Sequence, residues 1–176
     1  DDLTPLPNNY LGEICIRGPS VADGYWHNEA LTESIFKAKI HSKSFMRTGD
    51  LGFIHQGNLY IYSRKKDILI FNGTSISPED IEWCLRDCDA IKPGGCAAFS
   101  IDSDDKEQLV IIAEVRNAKQ LNENLIKAIR GMVSRECGLR THKIGIVAAN
   151  TIPRTSSGKI KRILCKEKFL NNELRI

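Results

Sequence analysis

Three short segments of this chain combine glycine, hydroxyl groups and charge in a way that could hold a phosphorylated ligand. The first is Arg47-Thr-Gly-Asp50-Leu. Glycine lets the backbone approach a ligand closely, and a neighbouring carboxylate can accept two hydrogen bonds from vicinal hydroxyls such as those of a ribose. The same residues would also make an ordinary turn capped by Asp50. The second is Ser63-Arg-Lys-Lys-Asp67, followed by Asn72-Gly73. Arg64 carries a fork of donors suited to phosphate or ribose; the plain alternative is a solvated charge run before a hairpin. The third is Pro153-Arg-Thr-Ser-Ser-Gly-Lys159-Ile-Lys-Arg162. Hydroxyls and a glycine ahead of a helix can form an anion site, and Lys159 is a mobile point charge. The alternative is a basic tail loop without a ligand. It is not a P-loop, which needs glycine where Pro153 stands and Ser or Thr where Ile160 stands. Each segment is a weak signal alone, and their order and spacing give them weight together.

The elements around these segments are readable from periodicity and punctuation. Gly12 to Arg17 alternates and is rich in β-branched residues, so it predicts a strand, broken by Gly18-Pro19. Asn28 to Phe36 has a capping residue, an acidic first turn and helical apolar spacing. Phe45 to Ser63 predicts a strand, a turn at Gln56-Gly57-Asn58 and the strand Leu59 to Tyr62. Arg64 to Asp67 is a charged break, and the domain boundary is placed there. Ile68 to Phe71, the tight-turn pair Asn72-Gly73 and a second short strand predict another hairpin. Ser77 caps a helix with Pro78 at its first position, running through Ile81, Cys84 and Leu85. Gly95 to Ile101 and Leu109 to Val115 predict two strands joined by an acidic loop from Asp102 to Glu107. Leu121, Leu125, Ile129, Met132 and Val133 share a helix face that ends near Gly138. Ile144 to Ala148 predicts a third strand, Asn150 to Gly158 a loop, and Lys161 to Asn171 a basic terminal helix. The expected fold is α+β: residues 1–65 form a β-rich but incomplete layer, and residues 66–176 form a compact unit large enough to own a core.

Composition narrows the function classes. The chain has 176 residues, 41% hydrophobic and 27% charged, with a formal net charge of +3, which is the profile of a globular protein. Its lysines and arginines are interleaved with acids and the basic tail has little aromatic interleaving, so no nucleic acid is expected as partner. No apolar run approaches the roughly 18 residues of a membrane span. The six cysteines lack paired short spacings and predict reduced, packed thiols in the cytoplasm; Cys84 and Cys88 could share a metal on one helix, but no second pair accompanies them, and no metal ligand is assigned. Asn72-Gly-Thr74 matches a glycosylation sequon, though it stands where a tight turn is wanted. Asp1 and the loop-like Leu3-Thr-Pro-Leu-Pro-Asn-Asn read as a piece of a longer chain.

In order, the segments resemble the signature of the adenylate-forming superfamily of acyl-CoA ligases, peptide-synthetase adenylation domains and luciferases. Gly12-Glu-Ile-Cys-Ile-Arg-Gly18, Gly24-Tyr25-Trp26 and Thr32 to Phe36 resemble its Gly-Glu…Gly-Tyr…Thr…Phe segment. Arg47-Thr-Gly-Asp-Leu51 resembles its Thr-Gly-Asp motif, Arg64 to Glu82 its hinge motif, and Ile152 to Lys159 its terminal Pro…Thr-Ser-Gly-Lys motif. Phe45 to Phe53, Lys92 to Ser100 and Thr155 to Arg162 are most similar to fatty acyl-AMP ligases. Thr74-Ser-Ile-Ser-Pro78 departs from that subfamily, which usually has Asn-His-Tyr-Pro before the Asp-Ile-Glu.

The resemblance implies a fold and roles. Residues 1–65 would be the C-terminal end of the large domain, within its β-barrel subdomain, and 66–176 the small mobile domain. Asp50 would hold the ribose hydroxyls of ATP, Arg64 would contact the nucleotide, and Lys66 would occupy the hinge. Lys159 would bridge the substrate carboxylate and the α-phosphate, and Gly73 would lie on the loop facing the thiol channel. The implied reaction activates a fatty acid with ATP, accompanied by Mg2+ that none of these residues binds, and passes the acyl group to an acyl carrier protein. Transfer to coenzyme A, or a non-catalytic docking module, are the alternatives. The phosphate loop, adenine segment and acyl pocket of such enzymes would all precede Gly12, so the piece alone is expected to be inactive.

Overall fold

A computed structural model of the chain describes residues 3–71, 73–103, 106–117 and 122–174. It divides the chain into two compact units, Asp1–Ile68 and Leu69–Ile176.

The first unit is built on one long strand. β1 (Gly12–Ile16), β2 (Ala38–Ile40), β3 (Lys43–His55) and β4 (Asn58–Arg64) form a four-stranded antiparallel sheet in which β3 pairs with each of the others. β3 and β4 are joined at Gln56-Gly57, whose φ values of 49° and 77° match the primed turn that suits strand twist. β2 is an element the sequence did not announce. It has three residues, too few to show alternation, and its turn uses His41 and Ser42 at positive φ instead of a glycine. Helix α1 (Glu29–Phe36) opens where expected, with the Asn28 side chain accepting from the Leu31 amide. The Gly24-Tyr25…Thr32…Phe36 pattern is a local knot. Thr32 Oγ1 accepts from the Tyr25 amide at 2.9 Å and donates to the Asn28 carbonyl at 2.7 Å, and the Tyr25 and Phe36 rings meet edge to face. Burial here is slight: Ala38 is this unit's one buried hydrophobic residue among those described, while Leu6, Tyr10, Ile54, Leu59 and Ile61 lie open.

The second unit owns a true core. The hairpin β5 (Leu69–Phe71) and β6 (Thr74–Ile76) leads through the Ser77 cap into α2 (Pro78–Cys84). β7 (Ile91–Ser103) pairs antiparallel with β8 (Lys106–Val115), and β9 (Thr141–Val147) joins β8 in parallel after α3 (Glu123–Cys137) crosses between them. α4 (Arg162–Leu170) closes the fold. β8 is central and buried on both faces, which explains its unbroken apolar run. Leu109, Ile111, Ala113 and Val115 face the cluster that holds Ile81, Leu85, Ile129 and Val133. Val110 and Ile112 face Phe99, Ile152, Cys165 and Phe169. Fully burying one such side chain is worth about 1.5–3 kcal/mol, so this unit has the stabilisation the first lacks.

One expectation changes in detail. The ladder reaches into the segment expected as an acidic loop: Asp102 pairs with Glu107 and Ser103 with Lys106. Leu121, expected on the α3 face, and Asn72, expected in the hairpin turn and the sequon, lie outside the described residues. α3 ends as read, with Gly138 in the left-handed conformation.

The β7–β8 register slips between Ile91 and Cys96, so Lys92 to Gly95 arch out of the ladder as a bulge. A Cβ on Gly95 would stand 2.8 Å from the Lys92 carbonyl oxygen and 3.0 Å from Glu114 Cβ. Gly95→Ala should therefore destabilise this unit by about 1–3 kcal/mol. Gly131→Ala is the matched control. Gly131 lies inside α3 with open space around it, so alanine there should stabilise by about 0.5–1 kcal/mol. Urea denaturation followed by circular dichroism reads both, and shifts of the same sign would refute the close-packing argument.

Candidate active site

Arg47-Thr-Gly-Asp50-Leu is not a turn; it lies inside β3. The β1–β3 register runs from Glu13–Leu51 to Cys15–Arg47, so three residues of β3 face Ile14 alone. This bulge, with Gly49 at a φ of 73°, re-aims the next side chain. Thr48 pins it: its hydroxyl donates to the Ile14 carbonyl at 2.8 Å and accepts from the Asp50 amide at 3.1 Å. Asp50 pairs across the ladder with Arg64, and Arg64 Nε stands 2.9 Å from Asp50 Oδ1. With side chains 31% and 56% exposed, the pair adds little to stability, at most about 1 kcal/mol. It sets a carboxylate and a guanidinium side by side at the sheet surface, which is the acceptor and donor set that ribose hydroxyls need.

Glu13 braces both halves of that pair. Its Oε2 accepts from Arg47 Nη2 at 2.6 Å and Nε at 3.1 Å, and lies 3.4 Å from Lys65 Nζ. The Arg47 hydrogen bond is the main reason the Glu13 carboxyl is held below the usual glutamate range. Arg47 opens the Asp50 segment and Lys65 follows Arg64, so one half-buried carboxylate fixes the approaches to both site residues.

Lys66 sits in a single 3-10 turn, Lys65–Asp67, directly after β4 and is exposed. In the second unit, Gly73 is at the tip of the β5–β6 hairpin with a φ of 79°. The structure thus brings Asp50 and Arg64 together, sets Lys66 two residues beyond Arg64, and places Gly73 and Lys159 on the other unit.

Lys159 rides on a closed loop. Its amide donates to Thr155 Oγ1 at 3.0 Å and its carbonyl accepts from the Thr155 amide at 2.8 Å. The Gly158 amide donates to the Thr155 carbonyl, and Arg154 and Ile160 form an isolated bridge. Thr155 and Ser157 hydroxyls lie 2.9 Å apart, so these groups stiffen the loop internally, while Lys159 itself is exposed. Helix α4 begins three residues later and has no side-chain cap.

Four charged residues to which the sequence reading gave no individual role hold this loop and the helix after it. Arg162 forks onto Glu82 at 2.8 and 2.7 Å and reaches Glu79 at 2.8 Å, tying α4 to α2. Glu82 also accepts from the Ala98 amide, and burial raises its carboxyl pKa against the pull of Arg162. Glu114, fully buried on β8, accepts from the Ile152 amide at 2.7 Å. Arg154 spans the loop between the carbonyls of Gly158 and Gly94. The signal for Glu114 was present: a lone acid in an apolar strand demands partners.

Burial pushes the Cys84 thiol up to about 12 and Cys165 to about 11, and raises Cys96 further. All six cysteines are free, and these behave as packing groups rather than nucleophiles. Among the described residues no three His, Cys, Asp or Glu side chains converge to hold a metal. No helix among them is long and apolar enough to cross a membrane.

The chain is similar to known proteins over most of its length. The model of a family described as Disco-interacting protein 2-like, AMP domain, matches residues 66–176. The chain is 36% identical over 172 residues to the medium-chain-fatty-acid–[acyl-carrier-protein] ligase JamA of Moorena producens (strain JHB), covering 93% of this chain and 29% of that protein. It is 34% identical over 181 residues to the long-chain-fatty-acid–AMP ligase FadD23 of Mycobacterium tuberculosis (strain CDC 1551 / Oshkosh), covering 97% of this chain and 30% of that one. A solved fatty acyl-adenylate ligase, from work on the enzymes of E. coli and L. pneumophila, superposes with a TM-score of 0.76 at 29% identity over 96% of this chain and 29% of its own. The chain therefore spans 29–30% of the length of these relatives.

Proposed function

This chain belongs to the adenylate-forming family, within the Disco-interacting protein 2-like AMP domains, and from that premise we propose that it is the C-terminal part of a fatty acyl-AMP ligase. The whole protein would activate a fatty acid with ATP and hand the acyl group to the thiol of an acyl carrier protein. A carboxylate oxygen attacks the α-phosphorus of ATP, the bond to pyrophosphate breaks, and acyl-AMP remains. The carrier's thiol sulfur then attacks the acyl carbon and AMP leaves with the bonding electrons.

The observation that carries the reading is the Asp50–Arg64 pair at 2.9 Å, presented by a bulge and braced by Glu13. A partly exposed carboxylate at a strand surface suits the two ribose hydroxyls, and the guanidinium paired with it suits ribose or phosphate oxygen. Residues 1–65 are the end of the large domain, and their sparse burial fits a layer completed by preceding segments. Lys66 is the hinge, and residues 66–176 are the mobile domain. Lys159 brings positive charge to the carboxylate and α-phosphate during the first step, and the Gly73 loop serves the thiol step. The acceptor is argued from the names of JamA and FadD23, which are an acyl-carrier-protein ligase and an AMP ligase. Such a ligase works in the cytoplasm, where ATP and carrier protein are both at hand.

The test supplies the full-length protein with ATP and a panel of fatty acids, then offers coenzyme A or a carrier protein. Acyl-AMP that persists with coenzyme A yet transfers to the carrier supports the reading. Rapid acyl-CoA formation replaces the acceptor, and no adenylate from any acid points instead to a docking module.

A further inference from the structure

A buried carboxylate on a central strand needs a reason, and Glu114 has one. Its side chain is 0% exposed and takes the β8 position where the alternation calls for another apolar residue. Oε1 accepts from the Ile152 amide at 2.7 Å, fixing the chain just where it leaves β9 for the Lys159 loop. Oε2 faces two cations at ion-pair rather than hydrogen-bond distance: Lys92 Nζ at 3.6 Å and Arg154 Nη2 at 3.7 Å. A buried charge without such partners would be strongly unfavourable, so Glu114 and the two cations form one unit.

Arg154 carries that anchorage outward. Its Nη2 donates to the Gly94 carbonyl at 2.7 Å and its Nη1 to the Gly158 carbonyl at 3.1 Å. Gly94 belongs to the β7 bulge, whose Lys92 also bonds Asn150 Oδ1 at 2.6 Å near the loop's beginning. Gly158 immediately precedes Lys159. The guanidinium fork therefore bridges a fixed feature of the sheet and the peptide that carries the lysine, which a single-headed cation could not do at both carbonyls.

We propose that Arg154, anchored by Glu114, is the positioning residue for Lys159: it clamps the loop to the β7 bulge so that the ammonium is held in place for adenylate formation. The inference rests on the assignment of Lys159 made above and adds to it the device that holds the lysine. A clamp of this kind acts on the rate of one step. Misplacing a reacting or charge-stabilising group by about 1 Å can cost about 10²-fold in rate, so a smaller displacement is expected to cost about tenfold.

Arg154→Ala and Arg154→Lys in the full-length protein test this, with Lys159→Ala as reference. Arg154→Ala should lower kcat for pyrophosphate release about tenfold while KM for ATP stays within about twofold. Thiol transfer from synthetic acyl-adenylate should be unchanged, and exchange of the Thr155, Gly158 and Lys159 amides should quicken. Arg154→Lys keeps the charge beside Glu114 but loses the fork, so it should fold normally and restore the rate only in part. The double variant Arg154→Ala/Lys159→Ala should be no slower than Lys159→Ala, because the clamp acts only through the lysine. Full multiplication of the two effects, or equal loss in both half-reactions, overturns the clamp. A wild-type rate for Arg154→Ala beside a crippled Lys159→Ala overturns the clamp alone, whereas a wild-type rate for Lys159→Ala overturns the reading of Lys159 itself.

Discussion

Lys159→Ala in the full-length protein is expected to slow acyl-adenylate formation by about 10²–10³-fold, the range seen when one preorganised charge-stabilising group is removed. The argument is electrostatic. In the first step a carboxylate approaches a phosphate, and negative charge gathers on the oxygens of both. An ammonium held at that point offsets the repulsion, and its contribution grows as water is excluded from the closed site. The loop geometry serves this purpose, since Thr155 bonds both the amide and the carbonyl of Lys159 while the side chain stays exposed. Thiol transfer has no such meeting of anions. Release of acyl groups from synthetic acyl-adenylate should therefore proceed within about threefold of the wild-type rate, as expected when a group acts in one transition state only. Pyrophosphate release and single-turnover thioester formation measure the two steps separately. Equal losses in both would assign Lys159 to general binding or folding instead.

The segments proposed to carry the chemistry stand out in the sequence while the contacts that hold them do not, for a physical reason. Asp50, Arg64 and Lys159 stand beside glycines and hydroxyls, whose special backbone uses leave a local mark. What holds them is long-range. Glu13 is 34 residues from Arg47 and Glu82 is 80 from Arg162, and no window along the chain connects them. Strand and helix elements with caps or alternation were found nearly in place, as with the Asn28 and Ser77 caps. β2 was missed because three residues carry no period and its turn at His41-Ser42 has no glycine to mark it, and the Arg47–Leu51 segment could pass for a turn because a bulge looks like one locally. Lys92-Pro-Gly-Gly95 drew notice as part of a resemblance, but its physical use, making room for Glu114 and offering a carbonyl to Arg154, appears only in three dimensions.

Arg162→Ala is expected to destabilise the second unit by about 3 kcal/mol at neutral pH, the cost of leaving a buried carboxylate unpaired. The side chains of Arg162 and Glu82 are only 18% and 14% exposed, so solvent does little to screen the pair, while the contact to half-exposed Glu79 adds little. The defect should also depend on pH in a definite direction. Burial already raises the Glu82 carboxyl above its ordinary value near 4.5, with Arg162 pulling it back. Between the ordinary and the raised value the folded state binds more protons than the unfolded one, so stability falls as pH rises through that window. Removing Arg162 lifts the folded value further, which widens the window and deepens the fall. Wild type and variant should thus converge near about pH 4, where Glu82 is protonated and needs no cation, and diverge towards neutrality. Glu82→Gln added to Arg162→Ala should recover part of the loss at neutral pH, because a neutral amide is cheaper to leave there than a charge. Urea denaturation by circular dichroism across this pH range decides the matter. A loss equally large at acid and neutral pH, with no rescue by Glu82→Gln, would show that Arg162 contributes through the packing of its stem and not through the charge it supplies to Glu82.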